Sequence, residues 1–177
     1  GLDKLTVGLQ KLFNYPLNIL DTDISNDNLL FSKIRYEAKI RGSKVILIDH
    51  LALINPSKPS GQRYYDVGQI TSTLHSMCKE LDICIILLCQ CGREAEGKRP
   101  NMALLRESGN IEQDADVIMF LYRERDMNEK IIPTDVLVEK NRDGKLGTVK
   151  MNFFSEQTKF VEDREAQQKA FDDRYRP

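Results

Sequence analysis

The segment Leu104-Leu-Arg-Glu-Ser-Gly-Asn-Ile-Glu-Gln-Asp-Ala-Asp-Val-Ile-Met-Phe120 passes from a polar stretch, through an acidic patch, into an apolar run. The run continues to Tyr122 and has the length and composition of a buried β-strand. Functional residues commonly lie on a charged loop before such a strand, because the strand gives the loop a rigid base. An ordinary helix–strand junction with solvated carboxylates would have the same spacing, so the pattern alone leaves both interpretations open.

The rest of the chain alternates helical and strand patterns. Apolar residues recur at helical spacing in segments 2–12, 30–38 and 67–81. Short apolar runs predict strands at 17–20, 45–49, 83–89 and 117–122. The unbroken run at 45–48 is typical of a strand buried on both faces of a parallel sheet. Asp143-Gly144 lies between two further strand-like runs and predicts a hairpin. We therefore expect an α/β fold: a mostly parallel sheet flanked by helices, with a C-terminal antiparallel hairpin.

Length and charge limit the classes of function. The 177 residues suit one domain with a substantial core. The net charge of -1 argues against a surface that binds nucleic acid by bulk charge, so such binding would need local basic loops or many copies arranged together. The apolar runs are too short to cross a membrane, and no secretory segment opens the chain.

The four cysteines, Cys78, Cys84, Cys89 and Cys91, include no Cys-x-x-Cys pair. This spacing argues against a zinc site. Three of the four lie in or beside an apolar run, where we expect small, buried, reduced side chains.

Two polar residues, Asp49 and Gln90, end apolar runs. Open α/β sheets bind their ligands at the carboxyl ends of the strands. A carboxylate there can hold the water shell of a Mg²⁺ bound to nucleotide phosphates. A glutamine amide can donate to a phosphate and accept from water or a neighbouring loop. Taken singly, Asp49 also fits a turn residue and Gln90 a surface amide, so their positions alone do not decide their roles.

Lys140 and Arg142 flank Asn141 at the start of the predicted hairpin. In an extended strand their side chains project from the same face. Two cations on a protruding hairpin suit insertion into a phosphate site of a neighbouring molecule. A solvated hairpin tip is the alternative interpretation.

Four segments together resemble the DnaB-type replicative helicases. Leu105-Arg-Glu-Ser-Gly-Asn-Ile-Glu-Gln-Asp-Ala-Asp-Val-Ile-Met-Phe120 is similar to a long motif of that family. Leu47-Ile-Asp49-His-Leu51-Ala-Leu53 resembles its Walker B segment, and Leu87-Leu-Cys-Gln90-Cys-Gly-Arg93 resembles its γ-phosphate-sensing segment. Lys140-Asn-Arg142-Asp-Gly144 resembles its Lys-x-Arg-Asn-Gly hairpin.

The chain also departs from the family pattern. His50 stands where the family more often has tyrosine, which leaves the metal-binding role of Asp49 untouched. Cys91 and Gly92 differ from the usual residues between Gln90 and Arg93, which weakens the assignment of Arg93.

The resemblance implies a RecA-like ring motor that uses ATP and Mg²⁺. Asp49 would bind Mg²⁺ through water, and Gln90 would sense the γ-phosphate. Lys140 and Arg142 would act on the ATP of the adjacent subunit, with Arg142 as a finger supplied in trans. Such a motor would form a homo-hexamer and work with a primase and a helicase loader, in the cytoplasm of a bacterium or a phage-infected cell.

The resemblance further implies that residues Arg106 to Gly109 contact single-stranded DNA. Arg106 would meet a phosphate, while Ser108 and Gly109 would offer backbone N–H groups at close approach. Glu107 would orient Arg106 or a lysine of the adjacent subunit. The segment lacks interleaved aromatic residues, so we expect backbone-phosphate contacts rather than base stacking.

Two parts of the family's motor have no counterpart in this sequence. No Gly-x-x-x-x-Gly-Lys-Ser/Thr occurs in the 177 residues, and no glutamate is assignable as general base. Since the chain also opens at Gly1 without methionine, we expect a fragment: a partial RecA-like domain at 1–162 and a charged tail at 163–177. Loss of the P-loop strand predicts a gap in the sheet between the strand that ends at Gln90 and strand 117–122.

Two other functions remain to be weighed. A degenerate RecA-like module could bind single-stranded DNA or a helicase partner without hydrolysing ATP. Another RecA-like ATPase, such as a recombinase or a clock-type hexamer, is the third possibility, and the Arg106–Asp116 segment argues against it.

Overall fold

Helices and parallel strands make up the first half of the chain, and an antiparallel sheet makes up most of the described residues after 116. The computed structural model describes residues 2–21, 24, 26–92, 95–105, 108–123 and 129–164. In chain order the elements are α1 (Leu2–Phe13), α2 (Asp27–Lys39), β1 (Val45–Ile48), α3 (Arg63–Leu81), β2 (Cys84–Leu87), α4 (Ser108–Asp114), β3 (Val117–Tyr122), β4 (Ile131–Asn141), β5 (Gly147–Phe154) and β6 (Lys159–Glu162). None of the helices within these ranges has the length and apolar character needed to cross a membrane.

The strands form two sheets with a gap between them. β1 and β2 pair in parallel, with Val45 opposite Cys84 and Ile48 opposite Leu87. The other four strands form an antiparallel sheet in the order β3-β4-β5-β6. Within the described ranges no strand pairing joins β2 to β3. This separation agrees with the gap that the absence of a P-loop strand predicts.

Helix α3 joins the two sheets through a single hydrophobic core. Val67, Ile70, Leu74 and Met77 recur every three to four residues and are all buried. They belong to one cluster with Ile48 of β1, Ile118 and Phe120 of β3, and Leu137 of β4. Residues of α3 and of both sheets therefore share one core.

Only one face of β1 and of β3 is covered. Side chains alternate between the two faces of a strand, so Ile48 and Phe120 are buried while Leu47 and Met119 are 62% and 60% exposed. The expectation that the strand at 45–48 is buried on both faces is therefore wrong. Its apolar composition would suit cover on both faces, but the core under α3 meets only one of them.

Two further expectations are corrected. Residues 17–20 form no strand; instead, the Asn18 side chain donates to Glu37 Oε2 of α2 at 3.2 Å and accepts from Arg41 at 3.3 Å, which holds this segment on α2. A helix, α4, occupies part of the segment expected as a loop before β3. Strand β6 ends at Glu162, ahead of the segment 163–177 that is expected as a charged tail, and residues 165–177 lie outside the described residues.

The cysteines are less buried than expected. Cys84 and Cys91 are exposed, whereas Cys78 and Cys89 are half-buried. Cys84 lies on the uncovered face of β2, because alternate residues of that strand point away from the core. Desolvation by the surrounding atoms raises the pKa of the Cys78 and Cys91 thiols above the ordinary value. All four thiols are free.

Asp135 of β4 joins the antiparallel sheet to the loop that precedes α4. Its carboxylate accepts from Arg99 at 2.8 Å and from Lys150 of β5 at 2.8 Å, and only 13% of the side chain is exposed. Arg99 also donates to Thr148 Oγ1 at 3.1 Å. Removing the carboxylate would leave two cations close together without their shared acceptor.

We therefore expect Asp135→Ala to lower the free energy of unfolding by about 1–3 kcal/mol. Urea unfolding followed by circular dichroism measures the change. Glu156→Ala is the matched control, because its ion pair with Lys130 is largely exposed and should contribute less than about 1 kcal/mol. Equal losses in the two variants would contradict a special role for Asp135.

Candidate functional site

Asp49 and Gln90 lie at the same edge of the parallel sheet. Asp49 follows the last residue of β1, and Gln90 lies three residues beyond the end of β2. Beyond the strands, Leu88 N donates to Ile48 O at 3.0 Å and Leu51 N donates to Leu88 O at 2.9 Å. These bonds hold the two strand ends side by side, so the predicted carboxylate and amide belong to one edge.

Both side chains at this edge are accessible to a ligand. The Asp49 side chain is 71% exposed, its Oδ1 lies 3.5 Å from His50 Nδ1, and the peptide bond between these two residues is cis. Gln90 is also exposed. His50, the departure from the family pattern, is half-buried beside the carboxylate and leaves it open to solvent.

This edge fits part of a Mg²⁺–nucleotide site. Within the described chain, no group of three or more His, Cys, Asp or Glu side chains could hold a metal ion. A lone exposed carboxylate does suit Mg²⁺ that keeps several waters and takes its other ligands from phosphates. The sequence contains no phosphate-cradling P-loop motif. Asp49 and Gln90 therefore fit only the part of such a site that would contact the metal ion and the γ-phosphate.

The residue after Gln90 is paired with the residue before the predicted DNA loop. Cys91 and Leu105 form an isolated antiparallel bridge, and Gly92 N donates to Leu104 O at 3.1 Å. Arg93, Arg106 and Glu107 lie outside the described residues. The bridge nevertheless gives a direct backbone path from Gln90 to the start of that loop.

Ser108 and Gly109, the other two predicted DNA contacts, lie in the first turn of α4. This helix packs closely on α3. Asn110 Nδ2 donates to Tyr64 O at 3.0 Å, and a Cβ atom added at Gly109 would lie 2.8 Å from the Tyr64 hydroxyl oxygen. Thr71 Oγ1 donates to Asp114 Oδ2 at 2.5 Å near the other end of α4. The position of α4 is therefore set by α3.

Lys140 and Arg142 both reach the C-terminal end of α4. The Lys140 ammonium donates to the carbonyl oxygens of Glu112 and Gln113, and Arg142 NH2 donates to Gln113 O at 3.1 Å. The last carbonyls of a helix have no partner within the helix, so these cations satisfy them. The prediction that the two side chains project from one face is confirmed. The sequence did not indicate that this face meets α4.

An open depression of about 700 Å³ lies beside the two cations. The residues that line it are Met102, Gly109, Glu112, Gln113, Glu139, Lys140 and Arg142. Two of these side chains are acidic and two are basic, so the depression carries no net charge. It is therefore not an anion site by itself, although it leaves room for a group to approach Arg142.

Two features of this region were missed by sequence reasoning. The strand pairing shifts between Ile118 and Met119, so Glu139 is an extra residue in β4 directly before Lys140. Such bulges often redirect side chains near functional sites. The second feature is Asp116, whose Oδ1 lies 2.7 Å from Arg142 NH1. Its place in the acidic patch was visible in the sequence, but its partner is 26 residues away.

The sequence is similar to that of known proteins over most of its length. The family model described as "DnaB-like helicase C terminal domain" matches residues 1–162. The replicative DNA helicase DnaB of Treponema pallidum (strain Nichols) is 40% identical over 156 residues, which cover 85% of this chain and 34% of the relative. The replicative DNA helicase DnaB of Geobacillus stearothermophilus is 37% identical, and the match covers 89% of this chain and 36% of the relative. The chain thus spans about a third of the length of these curated relatives.

Solved structures give the same result. One that is described as an ATPase domain superposes with a TM-score of 0.80 at 35% identity, and the match covers 91% of this chain and 60% of that one. A DnaB-like replicative helicase, described together with its interactions with primase, gives a TM-score of 0.79 at 35% identity. That match covers 90% of this chain and 40% of the other. With the RecA-like elements and the strand-end residues in place, the chain belongs to the DnaB-like helicase C-terminal domain family.

Proposed function

We propose that the full-length protein containing this chain is a ring-forming replicative helicase. It couples hydrolysis of ATP to translocation on single-stranded DNA and to duplex unwinding, and residues 1–162 are the later part of its motor domain. The observation that carries the proposal is the placement of Asp49 and Gln90 at adjacent carboxyl ends of parallel strands, in a chain of the DnaB-like family. This is where open α/β sheets bind nucleotides.

At this edge each side chain has a distinct task. Asp49 orients the waters around the metal ion, and its exposed carboxylate is free to do so from outside the strand. Gln90 donates its amide N–H to the γ-phosphate and accepts from the attacking water or a loop. Asp49 would hold Mg²⁺ through its water shell, and the ion would supply positive charge to offset the negative charge that develops on the phosphate.

Lys140 and Arg142 act on the nucleotide of an adjacent subunit. Two considerations support this assignment. The depression beside them has no net charge, so a phosphate has to be held by other groups before the cations can meet it. Arg142 has an accessible guanidinium, and its side chain is 48% exposed. A planar guanidinium stabilises charge spread over phosphoryl oxygens better than an ammonium does.

Residues Arg106, Glu107, Ser108 and Gly109 contact single-stranded DNA. The contacts go to the phosphate backbone, with Arg106 and the backbone N–H groups as donors and Glu107 as an orienting side chain. Two links support coupling between this segment and the nucleotide. The Cys91–Leu105 bridge leads from Gln90 to the segment, and α4 leads from Gly109 to the carbonyls that hold Lys140 and Arg142.

The proposed partners follow from the ring motor. Six copies form the ring, a loader places it on DNA, and a primase works beside it in the cytoplasm of a bacterium or a phage-infected cell. One similar structure is described with primase interactions, which supports the primase. We assign residues 1–162 to the partial motor domain and 163–177 to a charged tail, although Asp163 still bonds to β5 through Lys150 O at 2.9 Å.

The proposal is tested with the full-length protein, a forked DNA and Mg²⁺–ATP. We expect single-stranded DNA to stimulate ATP hydrolysis and the fork to be unwound only when ATP is present. Arg106→Ala should remove the stimulation and leave DNA-free hydrolysis intact, whereas Lys98→Ala, which removes an exposed cation of the preceding loop, should leave the stimulation unchanged. DNA binding without any ATP hydrolysis would instead favour a degenerate, non-enzymatic module.

A simpler prediction concerns the 177-residue chain by itself. Because it lacks a P-loop motif, we expect no measurable ATP turnover in a coupled phosphate-release assay. Turnover that disappears with Asp49→Ala would contradict this prediction, since it would place a working phosphate site within these residues. Turnover unaffected by that substitution would be due to a contaminant.

A further inference from the structure

Asp116 holds the guanidinium of Arg142. Asp116 Oδ1 lies 2.7 Å from Arg142 NH1, and Arg142 N donates to the Asp116 carbonyl oxygen at 3.0 Å. The other amino group of the guanidinium, NH2, donates to Gln113 O at 3.1 Å. The side chain is thus fixed by two acceptors on different residues, in addition to its own backbone.

These contacts leave part of the guanidinium available. An arginine side chain has five N–H donors, and the recorded contacts use one on NH1 and one on NH2. The group also lines the open depression next to α4. The remaining N–H donors of the guanidinium can therefore bind a phosphate while NH1 and NH2 keep their present acceptors.

Folding stability is a poor explanation for this ion pair. Asp116 and Arg142 have side chains that are 56% and 48% exposed, and exposed pairs contribute little to stability. Positioning is a better explanation, because a small misplacement of a group that acts on a reacting phosphate has a large effect on rate. The second oxygen, Oδ2, faces His75 Nδ1 of α3 at 3.9 Å, beyond hydrogen-bond distance.

We propose that Asp116 is a positioning residue, which orients Arg142 for the phosphate of a nucleotide held by the adjacent subunit. The inference rests on the proposed trans role of Arg142. Asp116 does not touch the nucleotide; it acts only through the guanidinium.

The test is Asp116→Asn in the full-length protein, compared with Asp143→Asn. Asp143 is the matched control because it is exposed and follows Arg142 directly, and within the described chain no contact joins it to the guanidinium. We expect Asp116→Asn to lower kcat for ATP about tenfold to a hundredfold, with KM and the thermal midpoint unchanged. Asp116→Glu should recover part of the loss, and Asp143→Asn should behave like the unaltered protein.

Asp116→Asn in an Arg142→Lys background separates the positioning role of Asp116 from the trans role of Arg142. A lysine cannot use both acceptors as the planar fork does, so Asp116→Asn should cause no further loss there. If Arg142→Ala itself leaves hydrolysis intact, the proposed function of Arg142 fails. If Arg142→Ala abolishes hydrolysis but Asp116→Asn matches Asp143→Asn, or lowers kcat equally in both backgrounds, the positioning role alone is overturned.

Discussion

Replacing Arg142 with alanine in the full-length protein should abolish ATP hydrolysis and largely spare nucleotide binding. The guanidinium is expected to act only when charge develops on the phosphate of the adjacent subunit, so its loss removes transition-state stabilisation and little else. Fingers of this kind are worth about 10³-fold or more in kcat. Steady-state hydrolysis and binding of a fluorescent nucleotide measure the two effects separately.

Lys145→Ala is the control for Arg142→Ala, because it removes a positive charge from the same hairpin at an exposed position. It should leave kcat and nucleotide affinity unchanged. If Arg142→Ala weakened nucleotide binding in step with hydrolysis, the side chain would act as an ordinary binding residue rather than as a trans finger.

Replacing Asp49 with asparagine should be comparably severe for a different reason. The substitution keeps the size of the side chain but removes the negative charge that holds the hydrated metal ion. Metal-ion stabilisation is worth several kcal/mol, so we expect hydrolysis to fall about a hundredfold or more. Titration of hydrolysis with MgCl₂ measures the loss.

His50→Tyr is the matched control for Asp49→Asn, since it restores the residue more common in the family beside an intact carboxylate. It should retain hydrolysis at near the original rate. Retention of Mg²⁺-dependent hydrolysis by Asp49→Asn would remove this residue from the metal site.

The spacing of apolar residues along the chain predicted several helices and strands correctly. The apolar run Val117–Tyr122 forms a strand with those bounds, and helix α3 buries the predicted Val67, Ile70, Leu74 and Met77. Asp49 follows β1 directly, as predicted, whereas β2 ends three residues before Gln90; both residues lie at one edge because parallel strands bring their carboxyl ends together. The strand and the buried face of α3 follow from the spacing of apolar residues. The shared edge follows from the order of helices and strands along the chain.

Features that depend on tertiary contact were not predicted. The acidic patch at 112–116 indicated neither α4 nor the attachment of Lys140 and Arg142 to its carbonyls. Likewise, the apolar segment 17–20 has strand-like composition but is bound to α2 through Asn18 and forms no ladder. In each case the outcome is decided by a partner that is distant in sequence, which spacing alone does not identify.

The most direct test of the trans arrangement mixes two inactive full-length variants, Arg142→Ala and Asp49→Asn. In a mixed ring, an Arg142→Ala subunit keeps its own Asp49 and receives Arg142 from an Asp49→Asn neighbour, so about a quarter of the interfaces become complete at equal mixing. Native mass spectrometry verifies that mixed rings form. We predict that ATP hydrolysis reappears in the mixture. Mixed rings that remain as inactive as either parent would contradict the assignment of Asp49 and Arg142 to opposite sides of one shared site.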